Sequence, residues 1–265
     1  MTQRALVTTQ RRGRIAVVTI DRTERRNAVD RATADALEAA IAAADADDEI
    51  DVLVLTGAGD TFCAGADLHA LAEGTANRLV PDAHGPMGPS RAATRKPVIA
   101  AVEGHAVAGG LELALWADLR IVAEDAVFGV FCRRWGVPLI DGGTVRLPRV
   151  VGLGVAMDLI LTGRPVHADE ALRIGLATRV VPTGTTLDAA VALAEQLAAF
   201  PQACLRADLA NARAAFDSPL PDALVAEHMV GAASIPRDEG GGDLATGVAR
   251  FVDGQGRHGM PHEGV

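Results

Sequence analysis

Two short apolar runs constrain the architecture of this chain more than any other feature. Val52-Leu53-Val54-Leu55-Thr56 and Pro97-Val98-Ile99-Ala100-Ala101-Val102 show no alternation of polar with apolar residues. A strand with one wet face alternates with a period of two, so an unbroken run of this length predicts a strand covered on both faces. Segments of helical length lie between and after them. Asp30 is placed to cap a helix to about Asp45, with Leu37 and Ile41 on its apolar side, and a second helix opens at Gly109-Gly110. Strands alternating with helices predict a parallel α/β sheet.

The β-branched stretch Arg14-Ile15-Ala16-Val17-Val18-Thr19-Ile20 reads as a strand paired with residues 5–9 across a polar turn. Shorter strands are predicted over residues 118–122, 126–129 and 177–181. A short helix is predicted from Gly65, and further helices over residues 151–162, 167–174, 187–199, 203–216 and 220–233. Residues 81–90 read as a polar loop rich in proline and glycine. A composition shift near Pro201 predicts a helical C-terminal part, and the tail after Asp238 is rich in glycine.

Composition excludes some function classes. With 265 residues and 49% hydrophobic content, the chain is long and apolar enough for a sizeable core. The net charge of −9 argues against non-specific nucleic-acid binding, which draws on excess positive charge. Three widely spaced cysteines, Cys63, Cys132 and Cys204, suggest neither a disulfide framework nor a zinc site. Met1-Thr2-Gln3-Arg4-Ala5-Leu6 lacks the apolar core of a signal peptide, and no run is long enough to span a membrane. The expectation is a cytoplasmic protein without a membrane partner.

The chemistry concentrates in two glycine-containing turns. In Ala108-Gly109-Gly110-Leu111-Glu112-Leu113-Ala114-Leu115 a carboxylate and a free helix-start amide at Gly109 share one turn. In Thr61-Phe62-Cys63-Ala64-Gly65-Ala66-Asp67-Leu68 small residues follow a buried strand, and Ala66 would leave its amide unpaired at a helix start. Two such turns after neighbouring parallel strands could aim both amides at one point, forming an oxyanion hole. Gly57-Ala58-Gly59 has Phe62 where a dinucleotide loop needs its third glycine, which argues against a Rossmann site.

These segments resemble the crotonase (enoyl-CoA hydratase/isomerase) superfamily. The resemblance rests on Arg26-Asn27-Ala28, residues 62–68, residues 107–114, Asp118, Gly142-Gly143-Thr144-Val145-Arg146-Leu147-Pro148 and Leu161-Thr162-Gly163, in order from about residue 5 to 200. It implies an α/β fold, a crotonase-like spiral of ββα units (residues 1–200, the acyl-CoA-binding core) with a helical C-terminal trimerisation segment (residues 201–265). It also implies a homotrimer or dimer of trimers, a coenzyme A thioester as substrate, and no separate cofactor or metal. Carried over by position, the amides of Ala66 and Gly109 would hold the thioester oxygen, and Ala28, Ala64, Asp67 and Leu68 would line the coenzyme A path. Arg25 and Arg26 either meet its phosphates or form a solvated ion-pair cluster with Glu24.

Adding water to an enoyl thioester needs two proton-handling groups on one side of the substrate. Glu112 matches the first of the family's two hydratase glutamates. Cys132 stands at the position of the second, either as a buried filler or as a thiol activated by Arg133 and Arg134. Asp141, just before Gly142, is the better candidate for the second group, and equally a helix N-cap. His105 reads as structural, Trp116 as a packing residue, Trp135 as either a packing residue or a border of the acyl pocket, and Arg237, Arg250 and Arg257 as candidate phosphate contacts. The expected function is enoyl-CoA hydratase-like; an acyl-CoA double-bond isomerase and a silent acyl-CoA-binding homologue are the alternatives.

Overall fold

The two unbroken apolar runs lie in the middle of a six-stranded sheet. The structure, a computed structural model, describes residues 5–80, 85–235 and 242–255. In chain order its elements are β1 (Val7–Arg12), β2 (Ile15–Ile20), α1 (Arg31–Ala46), β3 (Val52–Gly57), α2 (Leu68–Ala72), β4 (Val98–Val102), β5 (His105–Val107) and α3 (Gly109–Trp116). Then come β6 (Leu119–Ala123), β7 (Val127–Gly129), α4 (Gly143–Val151), α5 (Leu153–Thr162), β8 (Val166–His167), α6 (Ala168–Arg173) and β9 (Arg179–Val181). The helices α7 (Thr186–Ala198), α8 (Gln202–Ala214), α9 (Leu220–Ser234) and α10 (Gly242–Val252) complete the order.

The large sheet runs β1-β2-β3-β4-β6-β9, antiparallel at the β1–β2 hairpin and parallel at every other pairing. Its faces explain the missing alternation. Leu53 and Leu55 point into a core shared with Leu37 and Ile41 of α1 and with α3. Val52 and Val54 point the other way, against Ala190, Leu193 and Ala194 of α7. Every position of β3 and β4 is therefore buried.

A second, three-stranded sheet, β5-β7-β8, stands beside the first. It went unread in the sequence at β5, because His105-Ala106-Val107 is too short for a periodic signal between β4 and the glycines of α3. The helix predicted over residues 151–162 is α5, separated from α4 by Gly152, whose φ of 79° only glycine adopts readily. The helix placed at Gly65 starts later, at Leu68, with Asp67 as its cap.

Polar groups tie the layers together. Asp30 caps α1 by accepting from Thr33 N at 2.8 Å, as expected. Lys96 is fully buried, and its ammonium donates at 2.7 Å to Ala44 O at the C-terminal end of α1, where carbonyls lack partners. Glu103 does the converse for α7, accepting from Thr186 N at 3.1 Å. Residue 200 falls in the turn between α7 and α8. Arg206 and Arg213 of α8 bind Asp51 (2.8 Å) and Asp118 (2.6 Å) at the sheet. No residue of α8 or α9 is buried in this single chain. Among the described residues no helix is long and apolar enough to cross a membrane. Arg237 and Arg257 lie outside the described residues; Arg250 is exposed on α10.

The close fit of α3 gives a test. Glycine inside a helix ordinarily costs about 1 kcal/mol relative to alanine. A Cβ on Gly110 would run into the backbone carbonyl of Cys63. Gly110→Ala should therefore destabilise the protein, by roughly 1–3 kcal/mol in denaturant unfolding; a gain in stability would show that the α3–loop contact is loose.

Candidate active site

The loop after β3 is held open by one asparagine. Asn27 is buried in the left-handed region at φ 54°, a conformation that asparagine tolerates better than most residues. Its side chain accepts from Arg22 N at 2.9 Å and donates to Ala58 O (2.9 Å) and Thr61 O (2.6 Å). The chain then makes a parallel bridge: Val29 N donates to Gly65 O (2.8 Å) and Asp67 N to Val29 O (3.0 Å). The amide of Ala66, between those two partners, points to the opposite side and donates to no acceptor among the described residues. It is unpaired because of strand geometry and not because it starts a helix, which corrects the sequence expectation.

The second turn is strained. Ala108 has φ 52° and ψ −122°, outside the left-handed helical basin, at a cost of about 1–3 kcal/mol. Its amide is fixed by Gly129 O at 2.9 Å, and this turn aims Gly109 N along the start of α3. Gly109 N likewise finds no acceptor among the described residues. The two turns touch through Gly65, where φ is 96° and a Cβ would sit 2.9 Å from Gly109 N. Ala66 and Gly109 both line a cavity of about 260 Å³ whose walls include Leu68, Leu71, Met87, Phe131 and Trp135.

Besides Asp67, the acidic residues Glu112 and Asp141 line the same cavity. Glu112, only 2% exposed, stands in the first turn of α3. Its Oε1 accepts from Asp141 N and Gly143 N, both at 2.8 Å, so it closes the N-terminal end of α4. Gly143 is needed there, because a Cβ would lie 2.9 Å from Glu112 Cγ. Oε2 takes no hydrogen bond among the described residues. Burial pushes the Glu112 carboxyl up to about 7, helped by the charge of Asp141 and opposed by the two amides and Arg146.

Asp141 does not cap α4 with its side chain. Its Oδ1 instead accepts from Met87 N at 2.9 Å and from the Ser90 hydroxyl. Burial raises the Asp141 carboxyl above the usual range, against the pull of Ser90, Met87 N, Arg91 and Arg146. Both carboxyl groups, joined through one turn, are thus resistant to ionisation.

Cys132 lines the cavity from the turn Phe131–Trp135. Burial and the charge of Glu112 raise its thiol, outweighing Arg133, which favours the buried-filler reading over an activated thiolate. Among the other residues singled out by sequence, Ala64, Asp67 and Leu68 line the cavity. The Asp67 carboxylate is occupied by Arg22 (3.1 Å) and the cap of α2. Ala28 is buried outside the cavity lining. Arg25 and Arg26 are exposed on the neighbouring turn and form no ion pair with Glu24. His105 is exposed on β5. Trp116 packs as expected, donating to Ala92 O at 2.9 Å. Trp135 instead takes the other position expected of it, 69% exposed at the cavity wall. Ser90 and Met87 escaped the sequence reading, because nothing in a proline- and glycine-rich loop signals a partner some fifty residues away.

Burial of Glu112 has a measurable cost. A carboxyl raised in the folded state contributes stability at low pH that is lost as pH rises through its folded value. Glu112→Gln keeps an oxygen for both amides and removes the charge. Its stability relative to wild type should thus improve between about pH 5 and pH 8, by up to about 3 kcal/mol. Urea unfolding at both pH values checks this, and a pH-independent difference would contradict it.

A family model described as enoyl-CoA hydratase/isomerase matches residues 10–254. A probable enoyl-CoA hydratase of Mycobacterium bovis is 35% identical over 245 residues, covering 92% of this chain and 93% of that one. A carnitinyl-CoA dehydratase of Salmonella arizonae is 42% identical over 195 residues, 71% and 72% of the two chains. The crystal structure of an enoyl-CoA hydratase from Mycobacterium marinum superposes with a TM-score of 0.87 at 35% identity, over 94% of this chain and 96% of that one.

Proposed function

The chain belongs to the enoyl-CoA hydratase/isomerase family, and we propose that it adds water to trans-2-enoyl-CoA thioesters, using Ala66, Gly109, Glu112 and Asp141. The observation that carries this reading is the meeting of two unpaired amides and two buried carboxyl groups at one apolar cavity. The thioester carbonyl oxygen docks against Ala66 N and Gly109 N. Negative charge gathers there as the β-carbon is attacked, and fixed donors in a water-poor site favour it, each by roughly 10²–10³ in rate. One member of the Glu112–Asp141 pair takes a proton from the attacking water, and the other delivers a proton to the α-carbon. The pair must therefore hold a single proton.

We assign Ala64, Asp67 and Leu68 to the pantetheine path and Ala28 to its supporting turn. Asp67 contributes main chain there, since its carboxylate is engaged by Arg22. The exposed Arg26 is assigned to the coenzyme A phosphates. No cofactor beyond the substrate's coenzyme A enters this chemistry. A homotrimer or dimer of trimers is supported by exposed apolar side chains on α5 (Leu153, Met157, Leu161) and α9 (Leu224, Val225, Met229). A cytoplasmic setting fits the free Cys63, Cys132 and Cys204. The named relatives support hydration over double-bond isomerisation.

Incubation with trans-2-enoyl-CoA thioesters of several chain lengths should bleach the conjugated-thioester absorbance and yield 3-hydroxyacyl-CoA. Glu112→Gln and Asp141→Asn should each lower kcat by about 10²–10⁴ while acyl-CoA still binds. Tight binding with no product from any enoyl thioester would identify a silent homologue instead. The profile of kcat/KM against pH should be bell-shaped, with its alkaline limb near 7, where the Glu112 proton is lost. A rate that keeps rising above that value would refute the single-proton pair.

A further inference from the structure

Neither carboxylate is held by its own element alone. Asp141 is gripped by the segment containing Met87 and Ser90, and Glu112 by the main chain at Asp141 and Gly143. The Asp141 carboxylate and Arg91, which donates to Ile140 O at 3.1 Å, already join these two segments, and Arg146 joins them at a third point. Arg146, half-buried one turn into α4, donates from Nη1 to Asp141 O at 2.9 Å and from Nη2 to Ser90 O at 2.7 Å. A Cβ on Gly142 would overlap that guanidinium, so the turn is shaped around it.

We infer that Arg146 is a positioning residue, its guanidinium locking together the two segments that orient Glu112 and Asp141. The inference rests on the hydration reading above for its kinetic consequences, and on geometry alone for its effect on the carboxyl pair. Both guanidinium donors go to carbonyls, so the arginine forms no ion pair with either acid among the described residues. Its planar fork spans two acceptors in a fixed geometry, which a lysine ammonium cannot reproduce. A shift of about 1 Å in a reacting group can cost roughly 10² in rate.

Its charge acts as well. Glu112 faces Asp141, Cys132 and Arg146, and Asp141 faces Arg91 and Arg146. Arg146 itself faces both acids together with Arg149 and Arg213. The guanidinium favours the ionised form of both acids, so its loss moves both to higher pH. A purely structural arginine would change stability and leave the pH profile in place.

The test compares Arg146→Gln with Arg146→Lys in the full chain. Arg146→Gln should lower kcat about 10²-fold with KM changed far less, and should move both limbs of the bell to higher pH. Arg146→Lys should leave the bell where it is and still lower kcat, because a flexible ammonium does not reproduce the guanidinium's fixed fork to the two carbonyls. Wild-type kcat in Arg146→Lys, or a wild-type bell in folded Arg146→Gln, would overturn the inference. Should Arg146→Gln fail to fold, the lysine variant decides. Carboxyl titration by infrared difference spectroscopy separates the two readings, since it needs no turnover. A Glu112 band that titrates higher in Arg146→Gln, in a protein that hydrates nothing, would sustain Arg146 and sink the hydratase.

Discussion

A glutamate buried among apolar side chains must either stay protonated or find donors for its charge. Glu112 does part of both. Its Oε1 takes two amides from the start of α4, and its surroundings still hold the carboxyl near 7. Much of the local structure follows from that compromise. Residue 143 must be glycine for the amide to come close. The turn at residues 141–143 must face α3, which brings Asp141 to the cavity. The residues 87 and 90 must then lie against that turn to satisfy the second acid.

The proposed oxyanion donors arise from two unlike sources. Gly109 N is free because every helix leaves its first amides unpaired, and the strained Ala108 sets where it points. Ala66 N is free because it lies in a one-residue parallel bridge, where alternate amides face opposite sides. Gly65 lets the two backbones meet, since any side chain there would press on Gly109 N. The cavity between them is walled mainly by apolar residues, and a bound acyl chain would cover them and leave an oxygen gaining charge few competing waters.

Most of the fold was legible in the sequence, for identifiable reasons. β3 and β4 carry unbroken apolar runs, and Asp30 caps α1 as its position predicts. β5 was not legible, because three residues cannot display a period. The start of α2 was misplaced because Gly65 and Ala66 resemble a helix start, whereas Asp67 provides the cap. In the site, Glu112 stood out as a carboxylate inside an apolar helix. The long-range partners of Asp141 left no local trace, since Ser90 and Met87 reach it only through the fold. Trp135 left two readings open in the sequence, packing or bordering a pocket, and only the fold puts it at the cavity wall.

The central claim is geometric, and a crystal structure with a bound 3-hydroxyacyl-CoA tests it most directly. The thioester oxygen should lie within about 3 Å of both Ala66 N and Gly109 N. The 3-hydroxyl should sit between Glu112 Oε2 and Asp141 Oδ2, within reach of both. A ligand whose thioester oxygen meets neither amide, or whose β-carbon lies beyond reach of both carboxyl groups, would contradict the proposed site.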